Sequence, residues 1–207
     1  MNAFRPKKID QQKLLVVLLL LFFVVYVLLT IVMQIRSEEP PSKSGTVFDQ
    51  LTGNMLWVAS IMALLISTLR FQSIPKFLIW LGISVAVALL AIDEVFEFHE
   101  RTKSVVGDDD YIKILIWLIA GIGAYILYRI EQPSKSVVYA FILGYLFHTL
   151  YLIVDMGDGD FFSLPFSRNV SVWAEEFFEL FFVQSYLLGL ILHFSTLSRS
   201  REFLKKH

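Results

Sequence analysis

Long hydrophobic stretches separated by short polar segments form the main pattern along the chain. A helix of about 20 apolar residues crosses the hydrocarbon core of a lipid bilayer. Six stretches reach or approach this length, over residues 14–35, 51–69, 77–98, 111–128, 137–155 and 173–194. The pattern predicts an all-α, polytopic membrane helix bundle of about six transmembrane helices, forming a single integral membrane domain over residues 1–207.

Proline residues mark several breaks between these stretches. Residues 38–45 are polar and proline-rich, and Pro75, Pro133 and Pro165 each precede or separate predicted spans. Proline lacks the backbone N–H that a helix interior needs, so it favours a loop or a helix start. No connecting segment has the length or composition of a separate soluble domain.

Lysine and arginine residues are distributed unequally between the two sides of the predicted bundle. With six spans, both termini lie on one side, and that side holds twelve of the 18 lysine and arginine residues. Cytoplasmic loops of membrane proteins carry an excess of these residues. The distribution therefore predicts that both termini are cytoplasmic.

The composition excludes several classes of protein. Hydrophobic residues make up 56% of the chain and charged residues 18%, whereas soluble domains contain about 45–50% and about 25%. The net charge of −1 argues against a nucleic-acid partner. The absence of cysteine excludes disulfides, thiolate catalysis and thiolate metal ligands.

The third predicted span ends in a group of acidic residues. Asp93, Glu97 and Glu100 fall on one helical face, Glu94 lies one step round, and His99 points elsewhere. The carboxyl end of a helix disfavours negative charge, so these carboxylates need a cation, protons or full hydration. We expect a bound cation or a carboxyl group that holds protons, and a solvated rim of the bundle is the alternative.

The sixth predicted span begins with three acidic residues, Glu175, Glu176 and Glu179, on one face. Because the third and sixth spans run in opposite directions, their acids lie at the same, outer end of the bundle. Ser171 precedes them as a candidate N-cap, and a helix N-terminus favours negative charge. Stabilisation of the helix is therefore an alternative explanation for Glu175 and Glu176.

The fifth predicted span adds His148 and Asp155, which are seven residues apart and share a face. Ionisable residues inside spans are candidates for function, although a neighbouring polar group can also satisfy a single histidine. Tyr151 lies near the same face. Asp158 and Asp160 follow in an Asp/Gly loop that can offer oxygen ligands to a hard cation.

Together these residues predict a divalent metal ion as cofactor. Oxygen ligands suit Mg, Ca or Mn, and an added imidazole allows Zn or Fe. The predicted ligands come from three spans and are Asp93, Glu94, Glu97, Glu100, His148, Asp155, Glu175, Glu176 and Glu179. Secondary candidates are His99, Tyr151, Asp158 and Asp160. The first two spans carry no buried ionisable residue, so they are not expected to line the site.

Two short motifs resemble those of a group of uncharacterised bacterial multi-pass membrane proteins. The motifs are D-E-x4-H-E, from Asp93 to Glu100, and E-E-x2-E, from Glu175 to Glu179. The resemblance covers the third to sixth spans. It implies a protein of the bacterial plasma (inner) membrane with an acidic and histidine-containing site, and it transfers no activity.

Three functions are compatible with these features. The first is a metal-dependent enzyme in which the ion activates water or polarises an ester or phosphoryl oxygen of a lipid-like substrate. The second is a transporter or sensor of divalent cations or protons. The third is a non-catalytic subunit that binds a membrane-protein partner. Membrane lipid is an expected partner in each case, and a homo-oligomer is a further possibility.

Overall fold

The structure, a computed structural model, describes residues 47–96, 110–157 and 167–205, together with single positions between residues 17 and 36. The chain divides into two compact units, Met1–Glu38 and Glu39–His207. In the first unit, every described position is helical and nearly all described side chains are exposed. The second unit contains all of the helices discussed below.

Five helices make up the described part of the second unit, and no strand occurs there. Each overlaps one predicted span, from the second to the sixth, and most ends differ by a few residues. The helices are α1 (Val47–Leu69), α2 (Ile74–Phe96), α3 (Asp110–Glu131), α4 (Lys135–Gly157) and α5 (Arg168–Lys205). The total of six spans and the side on which the termini lie stay predictions.

All five helices are long and apolar enough to cross a membrane, as in a multi-pass membrane protein. Large apolar side chains cover their outer faces; Leu89 is 61% exposed and Ile119 is 60% exposed. A bilayer solvates such faces, whereas water would not. The exterior of the bundle therefore agrees with the composition of the chain.

The core of the bundle lies where α1, α2 and α5 meet. Ala59, Ala63 and Ile66 of α1 pack with Trp80 of α2 and Leu190 of α5. α4 packs along α5, whereas α3 contacts mainly α4. α3 thus buries little of its surface, and polar contacts contribute more to its attachment.

Small residues line the contact between α1 and α2. Gly53, Ser60 and Ser67 recur every seven residues, so they share one face of α1. The Ser60 hydroxyl donates to the Ser84 carbonyl oxygen at 2.8 Å, and the Ser84 hydroxyl donates to the Ser60 carbonyl oxygen at 2.9 Å. This reciprocal pair fixes the relative positions of the two helices in the middle of the bundle.

α5 extends beyond the predicted span at both ends. Its 38 residues make it about 57 Å long, against about 30 Å for a hydrocarbon core. The stretch from residue 190 to residue 205 contains no glycine or proline, so nothing stops the helix where its hydrophobicity ends. The hydroxyls of Thr196 and Ser198 donate to carbonyl oxygens four residues earlier, at 2.9 Å each, and satisfy their polar groups within the helix.

Candidate functional site

α1 and α2 approach closely where α1 begins and α2 ends. A Cβ atom added to Gly53 would lie 2.7 Å from Val95 Cγ2 and 3.6 Å from Glu94 Cβ. Only glycine fits without displacing its neighbour, so Gly53 lets the end of α2 pack directly against α1. Asp49 lies one turn before Gly53, on the same face of α1. The close contact therefore brings the end of α2 to the start of α1, where an acidic residue is already present.

Two glutamates of α5 lie beside these carboxylates. Glu176 interacts electrostatically with Asp49, Glu94 and Glu175, and Glu179 interacts with the same three and with Glu176. We refer to these five residues from three helices as the acidic group. Their mutual repulsion is strong in partly buried surroundings, because the effective dielectric constant there is far below that of water.

One oxygen atom of the acidic group stands out. Glu176 Oε2 is buried, and it has no hydrogen-bond partner in the described part of the chain. A buried anionic oxygen without a donor is costly, and a bound proton or cation removes that cost.

The helix dipole does not account for the acids of α5. The N-cap prediction for Ser171 is wrong, because α5 begins at Arg168 and Ser171 lies within the helix. The Ser167 carbonyl oxygen already accepts hydrogen bonds from the amides of Val170 and Ser171, at 2.9 and 3.1 Å. No acidic residue lies in the first turn of α5. Since the stabilisation of negative charge falls off within that turn, it does not explain Glu175 or Glu176.

Tyr151 of α4 borders the acidic group. It interacts electrostatically with Glu94, Glu175 and Glu179 of this group, and with Asp155 of its own helix. A phenol hydroxyl can donate a hydrogen bond to a carboxylate or accept one from a carboxylic acid. A fourth helix thus brings a polar side chain to the same end of the bundle.

His148 and Asp155 of α4 have other neighbours. The His148 ring stacks on Phe182 of α5, with the centroids 4.7 Å apart and the planes 20° apart. Asp155 Oδ2 lies 2.6 Å from Lys113 Nζ of α3 and accepts its hydrogen bond. The shared face predicted for His148 and Asp155 is therefore used for contacts with two different helices.

Five predicted site residues lie outside the described residues: Glu97, His99, Glu100, Asp158 and Asp160. Of the remaining candidates, Asp93 is partly buried in the last turn of α2. Within the described ranges, no three histidine, aspartate or glutamate side chains are grouped so that they could hold a metal ion. The metal site predicted from the sequence therefore has no ligand set among these residues.

Asp49 is not among the site residues predicted from the sequence. The predicted second span began at residue 51, where the strongly hydrophobic stretch starts, whereas α1 begins at Val47. The sequence leads us to expect that the first two spans do not line the site, whereas Asp49 of α1 interacts electrostatically with Glu176 and Glu179. An acid in the first turn of a helix is favourable, and that preference is the sequence signal that could have placed Asp49 inside α1.

A second polar arrangement lies at the opposite end of the bundle, and none of its residues is among the site residues predicted from the sequence. Glu131 at the end of α3 has a side chain only 1% exposed. Its Oε1 accepts hydrogen bonds from Arg70 Nε and Trp80 Nε1, at 3.1 Å each, and its Oε2 pairs with Arg70 Nη2. Both oxygens of this buried carboxylate thus accept hydrogen bonds, from Arg70, which follows α1, and from Trp80 of α2.

A family model described as a domain of unknown function (DUF8692) matches residues 14–194. No curated protein and no solved structure matches the chain. The match agrees with the resemblance to an uncharacterised family, whereas the bacterial origin and the two motifs stay predictions.

Proposed function

The chain belongs to the DUF8692 family, and we propose that this member is a proton-responsive membrane protein, with the acidic group as its proton-binding site. The observation that carries the proposal is the buried Oε2 of Glu176, which has carboxylates as neighbours and no described hydrogen-bond donor. A proton on this oxygen removes the unfavourable charge and supplies a donor to a neighbouring carboxylate.

Geometry favours a proton over a metal ion among the described residues. A proton needs one oxygen, or two if it is shared, and the acidic group offers several such oxygens. A hard divalent cation takes six or more oxygen ligands, of which the protein supplies several. No described group of three acidic or histidine side chains has the required arrangement.

The expected response is a change in packing at one end of α1, α2 and α5. When the acidic group loses protons, the carboxylates of the three helices repel one another. The close contact at Gly53 lies next to Glu94, so we expect this repulsion to loosen it. The apolar core around Ala59 and Leu190 lies farther along the helices and holds them together.

This mechanism suits a sensor better than a transporter. Transport requires polar groups near the middle of the membrane that pass the ion on. His148, the deepest ionisable residue of the predicted site, stacks on an apolar ring. We therefore propose that proton binding changes the conformation of the bundle.

A divalent-metal site that serves a metal-dependent enzyme is the second candidate. It is favoured by the convergence of carboxylates from α1, α2 and α5 at one end of the bundle, within reach of lipid-like molecules. Acidic ligands alone would select Mg, Ca or Mn, because His148 lies against Phe182. The ion would activate water or polarise an ester or phosphoryl oxygen.

The membrane placement completes the proposal. The excess of lysine and arginine on one side supports cytoplasmic termini and an acidic end outside, in a bacterial plasma membrane. The exposed apolar side chains of α3, such as Ile119 and Ile122, would contact lipid, a membrane-protein partner or a second copy of the chain.

Stability measured against pH tests the proton-binding site. The purified protein in lipid nanodiscs should gain thermal stability as the pH falls from about 8 to about 5, because the folded state takes up protons that the unfolded state does not. The variant with both Glu176→Gln and Glu179→Gln should lose most of this gain. The matched control is the variant with Lys113→Gln and Asp155→Asn, which removes one acid together with its partner and should keep the gain.

Two other outcomes separate the alternatives. A pH dependence that persists in the Glu176 and Glu179 variant would refute the proposed site. The other outcome is stabilisation by Mn²⁺ or Ca²⁺ at constant pH that a chelator reverses and that the same variant lacks. This result would show that the acidic group binds a metal ion instead of a proton.

A further inference from the structure

His193 of α5 lies in the second polar arrangement, at the end of the bundle opposite the acidic group. Its side chain is only 4% exposed, and its Nε2 has no hydrogen-bond partner in the described residues. That nitrogen lies 3.7 Å from Glu131 Oε2, which is beyond hydrogen-bond distance but within reach of a small movement. A buried imidazole nitrogen that faces a carboxylate without bonding to it is an incomplete interaction.

The charged groups around His193 come from three elements. Glu131 belongs to α3, Arg70 follows α1 and Lys76 belongs to α2, and all three interact electrostatically with His193. Arg70 holds both oxygens of Glu131, and Lys76 Nζ lies 3.9 Å from Oε2. The carboxylate therefore has room at Oε2 for one further donor, on the side of His193.

We propose that His193 and Glu131 form a proton-binding pair. In neutral imidazole one ring nitrogen carries hydrogen and the other does not, so one added proton gives an imidazolium with two donors. Closing the gap by about 1 Å would then form a charge-assisted hydrogen bond from Nε2 to Oε2. No bond other than the new N–H is made, and no further reactant is needed.

The pair would regulate the attachment of α3 to the rest of the bundle. Only 6% of the hydrophobic stretch of α3 is buried inside the bundle. Apolar packing therefore holds this helix weakly. Glu131 ties the end of α3 to Arg70 and to Trp80. Protonated His193 adds a direct bond between α3 and α5, and loss of this bond leaves Glu131 linked to Arg70 and Trp80 alone at this end of α3.

Trp80 provides a built-in reporter for this event. Its indole ring stacks on the His193 ring, with centroids 5.3 Å apart and planes 27° apart. An imidazolium in this position quenches indole fluorescence more strongly than neutral imidazole does. The difference between the emission of the wild type and that of Trp80→Phe isolates Trp80 from the other three tryptophans.

The experiment is a pH titration of this difference for the full chain in nanodiscs. Between about pH 8 and about pH 3, a range that contains and extends below the one where histidines commonly titrate, Trp80 emission should fall. His193→Gln should abolish the fall, and His148→Gln, whose ring stacks on Phe182 instead, should keep it. The variant with Glu176→Gln and Glu179→Gln should also keep it, so failure of the proposed acidic site would not affect this result.

Either of two results would overturn the proposal. One is constant Trp80 emission over the whole titration, which the wild type and Trp80→Phe alone reveal even if His193→Gln does not fold. The other is an unchanged fall in a folded His193→Gln variant, which would assign the proton to another group.

Discussion

The two ends of the bundle each contain a buried glutamate, and the neighbours of these two glutamates carry opposite charge. Glu131 is surrounded by donors, since Arg70 and Trp80 both hydrogen-bond to its carboxylate. Glu176 interacts electrostatically with three other acids, Asp49, Glu94 and Glu175, and one of its oxygens has no described partner. A matched carboxylate is stable as an anion, whereas one among like charges needs a proton or a cation. The neighbours of a buried glutamate therefore indicate whether it stabilises the fold or responds to ions.

Neutralising one glutamate at each end should give effects of opposite sign. Glu131→Gln leaves Arg70 in a largely buried place without its anion and should lower the free energy of unfolding by about 3 kcal/mol. Glu176→Gln removes a carboxyl group that must take up a proton on folding and should raise it by about 1 kcal/mol at neutral pH. Unfolding by SDS titration in mixed micelles measures both values. Destabilisation of similar size by both variants would mean that the two ends do not differ in this respect.

The contact at Gly53 offers a way to disturb the acidic end without changing its charge. Gly53→Ala places a methyl group 2.7 Å from Val95 Cγ2 and should lower the free energy of unfolding by about 1–2 kcal/mol. Adding Val95→Ala removes the clashing atom and should restore most of the loss.

Gly82→Ala is the matched control on α2, because a Cβ atom there has no neighbour within 4 Å. That variant should be neutral or slightly stabilised. If Val95→Ala does not rescue Gly53→Ala, the close contact between the two helices is not the cause of the loss.

The serine pair in the middle of the bundle should matter least. Ser60→Ala removes one of the two reciprocal bonds with Ser84, and hydrogen bonds between membrane helices contribute about 0.6 kcal/mol each. Unfolding of Ser60→Ala and Ser84→Ala measures the two bonds separately, because each hydroxyl donates to a backbone carbonyl that alanine retains. A loss larger than the effect of Glu131→Gln would move the main polar attachment from the end of the bundle to its centre.

Periodicity and hydrophobicity predicted the helices well, because a bilayer demands long apolar stretches with satisfied backbones. They also predicted that the acids of α2 and α5 lie at the same end, which follows from the alternating direction of the spans. They did not predict which side chains of different helices contact one another. The shared face of His148 and Asp155 is correct as helical geometry, yet one residue meets Phe182 and the other Lys113.

The residues that the sequence did not reveal lie at helix ends. Asp49 precedes the hydrophobic stretch and Glu131 follows one, so both resemble solvated residues at a membrane boundary. Tertiary packing decides otherwise, since Arg70 and Trp80 converge on Glu131 from a different part of the chain. Ser171 is a further example. Serine is a good N-cap residue, but α5 begins one turn before Ser171, so this residue does not cap the helix.

Infrared difference spectroscopy detects the proposed proton on the acidic group itself, since the carbonyl stretch of a protonated carboxylic acid is separate from the bands of a carboxylate. A protonated-acid band should be present at neutral pH, disappear on alkaline titration and be absent from the variant with Glu176→Gln and Glu179→Gln. A wild-type spectrum without such a band, or a band of equal size in that variant, would contradict the proposed proton-binding site.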